Sequence, residues 1–322
     1  MAWAIVLLTV GLLLLWKGAD VLVQGAVGIA ERLGVSQLIV GLTVVAMGTS
    51  APEAAASIAA VIDGRGDIAI GNVFGSNVAN LALVGGLVAL ISPLQVQGRT
   101  LKREIPAMLG VALLLWPLLH NLQFSRPEGL LVLSVFLAML FYTVHTARGE
   151  IRQNAAVERA ASAPPAGGNL VTNVALTIGG LIGLSIGAKL AIKGAIIIGT
   201  EIGLSDAVIG STIMAVGTSL PELITCVVAA LKGHHDISVG NLVGSNIFNT
   251  LLVTGAAGLV RPYGVGARFA GGTDFWIMVG VSAGFALAVI VGRRVVGRIS
   301  GLLLLAAYVG YLAYLLAFTQ AA

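Results

Sequence analysis

GTSAPE, residues 48–53, lies inside a run of alanine, valine, leucine and glycine, and GTSLPE, residues 217–222, repeats it 169 positions later. The repeat reaches well beyond six residues. Aligned at that offset without a gap, residues 41–80 and 210–249 share 18 identities in 40 positions. Gly48/Gly217, Thr49/Thr218, Ser50/Ser219, Pro52/Pro221 and Glu53/Glu222 are identical pairs, followed by Asp67/Asp236, Gly71/Gly240 and Asn72/Asn241. Ser76/Ser245, Asn77/Asn246 and Asn80/Asn249 complete the series. The chain therefore carries one unit twice, and the surroundings of each copy decide the fold.

Those surroundings are apolar. Of 322 residues, 57% are hydrophobic and 10% charged, against about 25% charged in an ordinary soluble domain. A soluble fold of this length could not hide so much apolar surface, so the composition indicates a polytopic membrane protein. The 43 glycines suit close helix packing in such a bundle. A formal charge of +4 does not point to nucleic acid, because Lys and Arg sit in short loops and form no basic face. Cys226, alone and in an apolar segment, excludes a disulfide framework and says nothing about compartment. The opening MAWAIVLLTVGLLLLW lacks a basic leader and a small-residue cleavage site, and is expected to stay as a first membrane span.

A span needs about 17–25 apolar residues. Ten stretches qualify: 2–24, 37–61, 68–91, a short 104–121, 128–147, 170–193, 207–231, 237–260, 273–292 and 299–318. Residues 147–168, polar and ending in Pro-Pro and Gly-Gly, read as a linker between a first five-helix repeat (1–146) and a second (169–322). With the N-terminus outside, eleven loop Lys and Arg fall inside and six outside. That bias places both termini outside and the linker in the cytoplasm. Five spans is an odd number, so the second copy enters the membrane from the opposite side. The expected fold is an all-α membrane protein of ten helices in two inverted repeats, with one shared site near the midplane.

The motif has the chemistry for such a site. Glu53 and Glu222 each lie well inside an expected span, where an ionisable side chain costs about 2.5–3.5 kcal/mol. No Lys or Arg lies between the ends of the four spans involved, so a bound cation is the natural partner. Thr49 and Ser50 precede Glu53 by four and three residues, which puts their hydroxyls on the carboxylate's helical face. Pro52 lacks an N–H and is expected to loosen the helix, freeing backbone carbonyls to join in. Asn72, Ser76 and Asn80 form one polar stripe on the next span, and Asn241, Ser245 and Asn249 repeat it. This all-oxygen set suits Ca2+ or Na+ and argues against zinc or copper. Elsewhere, Asp67 and Asp236 read as helix caps, His234-His235 as a solvated loop, and Lys17 with Asp20 as a local ion pair.

GTSAPE…GNVFGSNVAN and GTSLPE…GNLVGSNIFN resemble the two alpha-repeats of the cation/calcium antiporter superfamily, and within it the short bacterial sodium/calcium exchangers. The resemblance implies antiport in an inner membrane, Na+ entry driving Ca2+ out by alternating access, with the first and sixth spans sliding over a fixed core. It places Glu53 and Glu222 at the centre of the site. Hydroxyls of Thr49, Ser50, Ser76, Thr218, Ser219 and Ser245 surround them, with the Ala46 and Ala215 carbonyls and the Asn80 and Asn249 amides. Several relatives, including potassium-dependent ones, carry Asp at the position of Asn249. Two neutral amides here limit the charge to −2 and speak against potassium co-transport. The ions and the bilayer are the only expected partners, with no cofactor, nucleic acid or protein. The chief alternative is a proton/calcium antiporter using the same glutamates. A passive channel fits less well because an inverted repeat with an enclosed site favours a carrier, and an enzyme because no Ser-His or metal-binding His set is present.

Overall fold

The computed structural model describes residues 1–161, 168–203 and 215–319. Helix α1, Ala2–Leu33, is longer than its apolar core and ends on Gly34 in the left-handed conformation (φ 66°). Helix α2, Gln37–Thr49, meets α3, Ala51–Ile62, at a 45° bend. Helices α4, Gly66–Ile91, α5, Glu104–Leu119, and α6, Arg126–Ala161, follow in the first half, with a short turn of helix at Gly98–Lys102 before α5. The second half holds α7, Leu170–Glu201, α8, Ala215–Thr218, and α9, Leu220–Leu231. It continues with α10, His235–Val260, α11, Thr273–Val291, and α12, Arg298–Thr319.

Seven described helices are long and apolar enough to cross a membrane, and eight if the bent α2–α3 pair is one span. The protein is thus a helical membrane protein. Of the ten expected spans, 104–121 corresponds to a helix of 16 residues. Residues 207–214 of the span expected at 207–231 lie outside the described residues. The tract expected as a linker is helical as far as Ala161, and residues 162–167 lie outside the described ones.

Two layers position the site. The first is the antiparallel pair α1 and α7. Glycines recur every seven residues on both: Gly11, Gly18 and Gly25, and Gly180, Gly187 and Gly194. A Cβ at Gly18 would stand 2.7 Å from the Leu184 nitrogen, and one at Gly187 2.7 Å from that of Leu15. Where lipid removes the hydrophobic drive between helices, such backbone approach is what holds two of them together. Leu15, Ala19, Leu22 and Val23 of α1 share a buried cluster with Leu184, Ala188 and Ala191 of α7.

The second layer is a larger core drawn from α4, α5, α10, α11 and α12. Phe74 anchors it, edge-on to Phe269 at 5.8 Å and tilted against Phe275 at 6.1 Å. Helices α2 and α10 cross backbone to backbone, since a Cβ at Gly41 or Gly240 would lie 2.8 Å from a carbonyl oxygen of the other helix. Among the described residues, four two-residue strands stand between the helices. β1, Leu94–Gln95, pairs antiparallel with β4, Val295–Val296, and β2, Gln123–Phe124, with β3, Tyr263–Gly264.

Several sequence expectations change. Pro52 does not loosen a continuous helix, because the chain already breaks at Ser50 (φ −86°, ψ 6°) and Pro52 sits in the first turn of α3. A missing N–H costs little there. Asp67 does not cap its own helix: its Oδ1 accepts the Gly266 backbone N–H at 2.6 Å. Asp236 accepts from Gln97 Nε2 at 2.6 Å, likewise across loops. Asp20 forms its ion pair with Lys232 after α9, and not with Lys17. His234 is half-buried and 3.0 Å from Gln37 Oε1. Burial, and Lys232 nearby, hold its imidazole below the usual histidine range.

Candidate cation site

Each copy of the motif breaks a helix at its serine. Ser219 repeats the backbone of Ser50 within a few degrees (φ −88°, ψ 6°). The break leaves Glu53 in the first turn of α3 and Glu222 in the first turn of α9. A helix N-terminus carries partial positive charge, which favours a carboxylate there, while the C-terminal carbonyls of α2 and α8 present the opposite sign to a cation. Both glutamates are buried, at 1% exposure. Among the described residues, turns of wider π-helix lie at Gly41–Val45, ahead of the break at Ser50, and at Ala79–Val84 and Asn249–Val253, which carry the last residues of the two polar stripes, Asn80 and Asn249. Such turns redirect side chains and often accompany functional sites.

The two copies meet here. Ser50 Oγ donates to Glu222 Oε1 at 3.0 Å. Thr49 Oγ1 donates to Asn241 Oδ1 at 3.1 Å, and Ser245 Oγ approaches the same oxygen at 3.4 Å. Asn72 Nδ2 donates to the Glu53 carbonyl at 3.1 Å. The Ala46 carbonyl accepts the Ser50 N–H at 3.0 Å and faces Thr49 Oγ1 at 3.4 Å.

Of the residues expected from sequence, Ala46, Thr49, Ser50, Glu53, Ser76, Asn80, Ser219, Glu222, Ser245 and Asn249 are all buried. Thr218 is half-buried, and Ala215 opens α8. Ser76, Asn80 and Asn249 make no hydrogen bond to either glutamate. Asn72 and Asn241, identical in the two copies, are absent from the expected ligand set yet hold its members. Their place in the polar stripe was the available signal.

What the cluster can do follows from its unpaired atoms. Both carboxylate oxygens of Glu53, Oε2 of Glu222, Ser219 Oγ, Asn80 Oδ1 and the Asn249 amide have no hydrogen-bond partner among the described residues. Buried polar atoms are rarely left so, and these are nearly all oxygens. Among the described residues no group of three or more His, Cys, Asp or Glu could hold a metal. Hard cations with oxygen preference fit this set, and soft transition metals do not.

Access is one-sided. Ala51, Ala55, Ala56 and Ala59 of α3 are exposed. Their counterparts on α9 are Leu220, Ile224, Thr225 and Val228, and none of these is exposed. Helix α1 covers them: Val228 and Ala229 join its buried cluster, with Leu220 and Ile224 packed against it. A water-soluble thiol reagent is expected to modify Ala55→Cys roughly tenfold or more faster than Ile224→Cys, as thiol reactivity follows exposure. Equal rates would show that α3 offers no path.

Comparison with known proteins agrees with this chemistry. The profile of the sodium/calcium exchanger protein family matches residues 3–145 and 172–317. The inner membrane protein YrbG of Escherichia coli strain K12 is 37% identical over 318 residues, covering 98% of this chain and 97% of its own. Sodium/calcium exchanger MaX1 of Methanosarcina acetivorans is 34% identical over 342 aligned positions, covering 96% and 97%. The solved sodium/calcium exchanger of Methanococcus jannaschii superposes with a TM-score of 0.82 at 31% identity, over 97% of this chain and 98% of that one. With both halves matched by one profile and nearly the whole length shared with each relative, the chain belongs to the sodium/calcium exchanger family, within the cation/calcium antiporters.

Proposed function

We propose that the protein exchanges Na+ for Ca2+ by alternating access, in the direction of Ca2+ extrusion and without potassium. The observation that carries this reading is that Glu53 and Glu222, one from each copy, are both buried, and that Ser50, three residues before Glu53, donates to Glu222 across the copies. Two carboxylates neutralise one Ca2+, and the neutral oxygens around them give Na+ ions places to compete. The ligands are Ala46, Thr49, Ser50, Glu53, Ser76 and Asn80 of the first copy and Ala215, Thr218, Ser219, Glu222, Ser245 and Asn249 of the second. Asn80 and Asn249 add no charge, which supports potassium independence.

The architecture is ten crossings in two inverted five-helix repeats, residues 1–146 and 169–322, with both termini outside a bacterial inner membrane. The strand pairs support it. A β2–β3 pair requires both loops on one side, hence an even number of crossings between them. Helices α6, α7 and α10 supply three, which supports the α8–α9 segment as a fourth crossing. The β1–β4 pair likewise supports α5 as a crossing. In this topology the exposed α3 face is the outer one, which supports an outward-open reading.

Proteoliposomes with Na+, K+ and H+ gradients imposed separately test the function. A Na+ gradient at clamped pH is expected to drive Ca2+ uptake, and K+ is expected neither to drive nor to be required for it. Uptake driven by H+ alone would replace this reading with proton/calcium antiport.

A further inference from the structure

We propose that Asn241 is a positioning residue that keeps the oxygen lone pairs of Thr49 and Ser245 turned toward the cation. This rests on the exchange reading and adds to it a requirement on hydroxyl orientation. A hydroxyl can ligate a cation only through a lone pair, so its single proton must point elsewhere. In water that happens freely, but in a buried cluster an acceptor has to be supplied.

Ser50 gives its proton to Glu222 itself. Thr49 and Ser245 each reach Asn241 Oδ1, at 3.1 and 3.4 Å, which for Thr49 is nearer than the Ala46 carbonyl at 3.4 Å, and that amide oxygen has two lone pairs to receive both protons. Thr49 belongs to the first copy and Asn241 to the second, so the orientation of a first-copy ligand is set from the second. Asn241 is fully buried.

Turned around, with Nδ2 toward the hydroxyls, the amide would instead engage a lone pair of each and leave their protons facing the cation. The structure fixes its sense. Asn241 Nδ2 donates to Cys226 Sγ at 3.3 Å, and Cys226 Sγ in turn donates to the Ser238 carbonyl at 3.6 Å. Every donor in this chain points the same way, ending on a backbone carbonyl that can only accept. The first copy repeats it: Asn72 Nδ2 donates to Ser57 Oγ at 2.9 Å, and Ser57 Oγ to the Ala69 carbonyl at 3.3 Å. Ser57 and Cys226, like Ala69 and Ser238, are related by the 169-residue offset. A thiol and a hydroxyl thus do the same work at one repeated position, which points to direction of donation as the retained property.

The test is equilibrium binding of radioactive Ca2+ to the purified full chain, with Na+ as competitor. Asn241→Leu is expected to weaken Ca2+ binding about tenfold, the scale of a buried hydrogen-bonding group left unpaired. In a Thr49→Ala background the same change is expected to cost no more than about threefold, since only the Ser245 proton remains to be held. An equal loss in both backgrounds, or no loss in either, overturns the proposal, because a merely structural role for Asn241 would not depend on Thr49. Should Asn241→Leu fail to fold, Cys226 decides. Cys226→Ser, which restores the pairing seen at Ser57, is expected to bind like the native chain, and Cys226→Ala about threefold more weakly; equal binding by the two overturns it. A native chain that binds neither Ca2+ nor Na+ removes the exchange reading itself, and the proposal with it.

Discussion

Glu53→Gln and Glu222→Gln each reduce Na+-driven Ca2+ flux in vesicles by about a hundredfold or more, and the double variant is no worse than either alone. Glutamine keeps the size of the side chain and one carbonyl oxygen but removes the charge. Two unit charges about 4 Å apart gain about 4 kcal/mol at an effective dielectric near 20, and a divalent ion doubles that for each carboxylate. Retaining a third of it would already account for a hundredfold in affinity. The effects are not additive because the carboxylates act on one ion: once one is lost, the other has little left to stabilise. Their burial sharpens this, since water cannot replace the missing charge. Flux near the native level in either single variant would mean that the ion lies elsewhere. Two independent partial losses would mean two separate sites.

Tethering α1 to α9 is expected to stop exchange completely and reversibly. In the structure α1 covers the Leu220, Ile224 and Val228 face of α9, while the matching alanine face of α3 is exposed. Exchange requires the reverse arrangement at some point in the cycle. The Asp20–Lys232 ion pair marks where the two elements touch, and both side chains are partly exposed, at 25% and 35%. Such a pair contributes only about 0–1 kcal/mol, so Lys232→Met should leave flux within a few fold of native. A short bifunctional thiol reagent joining Asp20→Cys to Lys232→Cys, in a Cys226→Ser background, acts differently because a covalent link cannot be outcompeted. Flux is expected to vanish on cross-linking and return on reduction. Undiminished flux in a fully cross-linked sample would rule out relative motion of α1 and α9.

The two predictions draw on different sources. The importance of Glu53 and Glu222 is visible in the chain itself, because two carboxylates in apolar spans, repeated with their Thr, Ser and Pro neighbours, need a common explanation. The asymmetry between α3 and α9 is half visible. Alanines against Leu, Ile and Val at matching positions can be read from the sequence, but which face is covered depends on where α1 lies. Pro52 is ambiguous in sequence, because a proline within a hydrophobic run looks the same whether it bends a helix or begins one. Asp67, Asp236 and Asp20 were assigned local partners, whereas each is paired with a residue 139 or more positions away. Local spacing cannot reveal such partners.

By itself the sequence determined membrane residence, the duplication, the paired glutamates and the oxygen character of the expected ligands. These follow from composition and from identity at a fixed offset, and neither requires knowing what lies next to what. Only the tertiary structure decided how the copies interlock: that Ser50 reaches Glu222, that Thr49 hands its proton to Asn241, and that α1 covers α9 but leaves α3 exposed. Each of these is a contact across at least 172 residues of chain or between separate helices. The physical reason is that a hydrogen bond or an apolar contact is decided over a few ångströms of space, and the close glycine-lined approach of helices in lipid sets those distances.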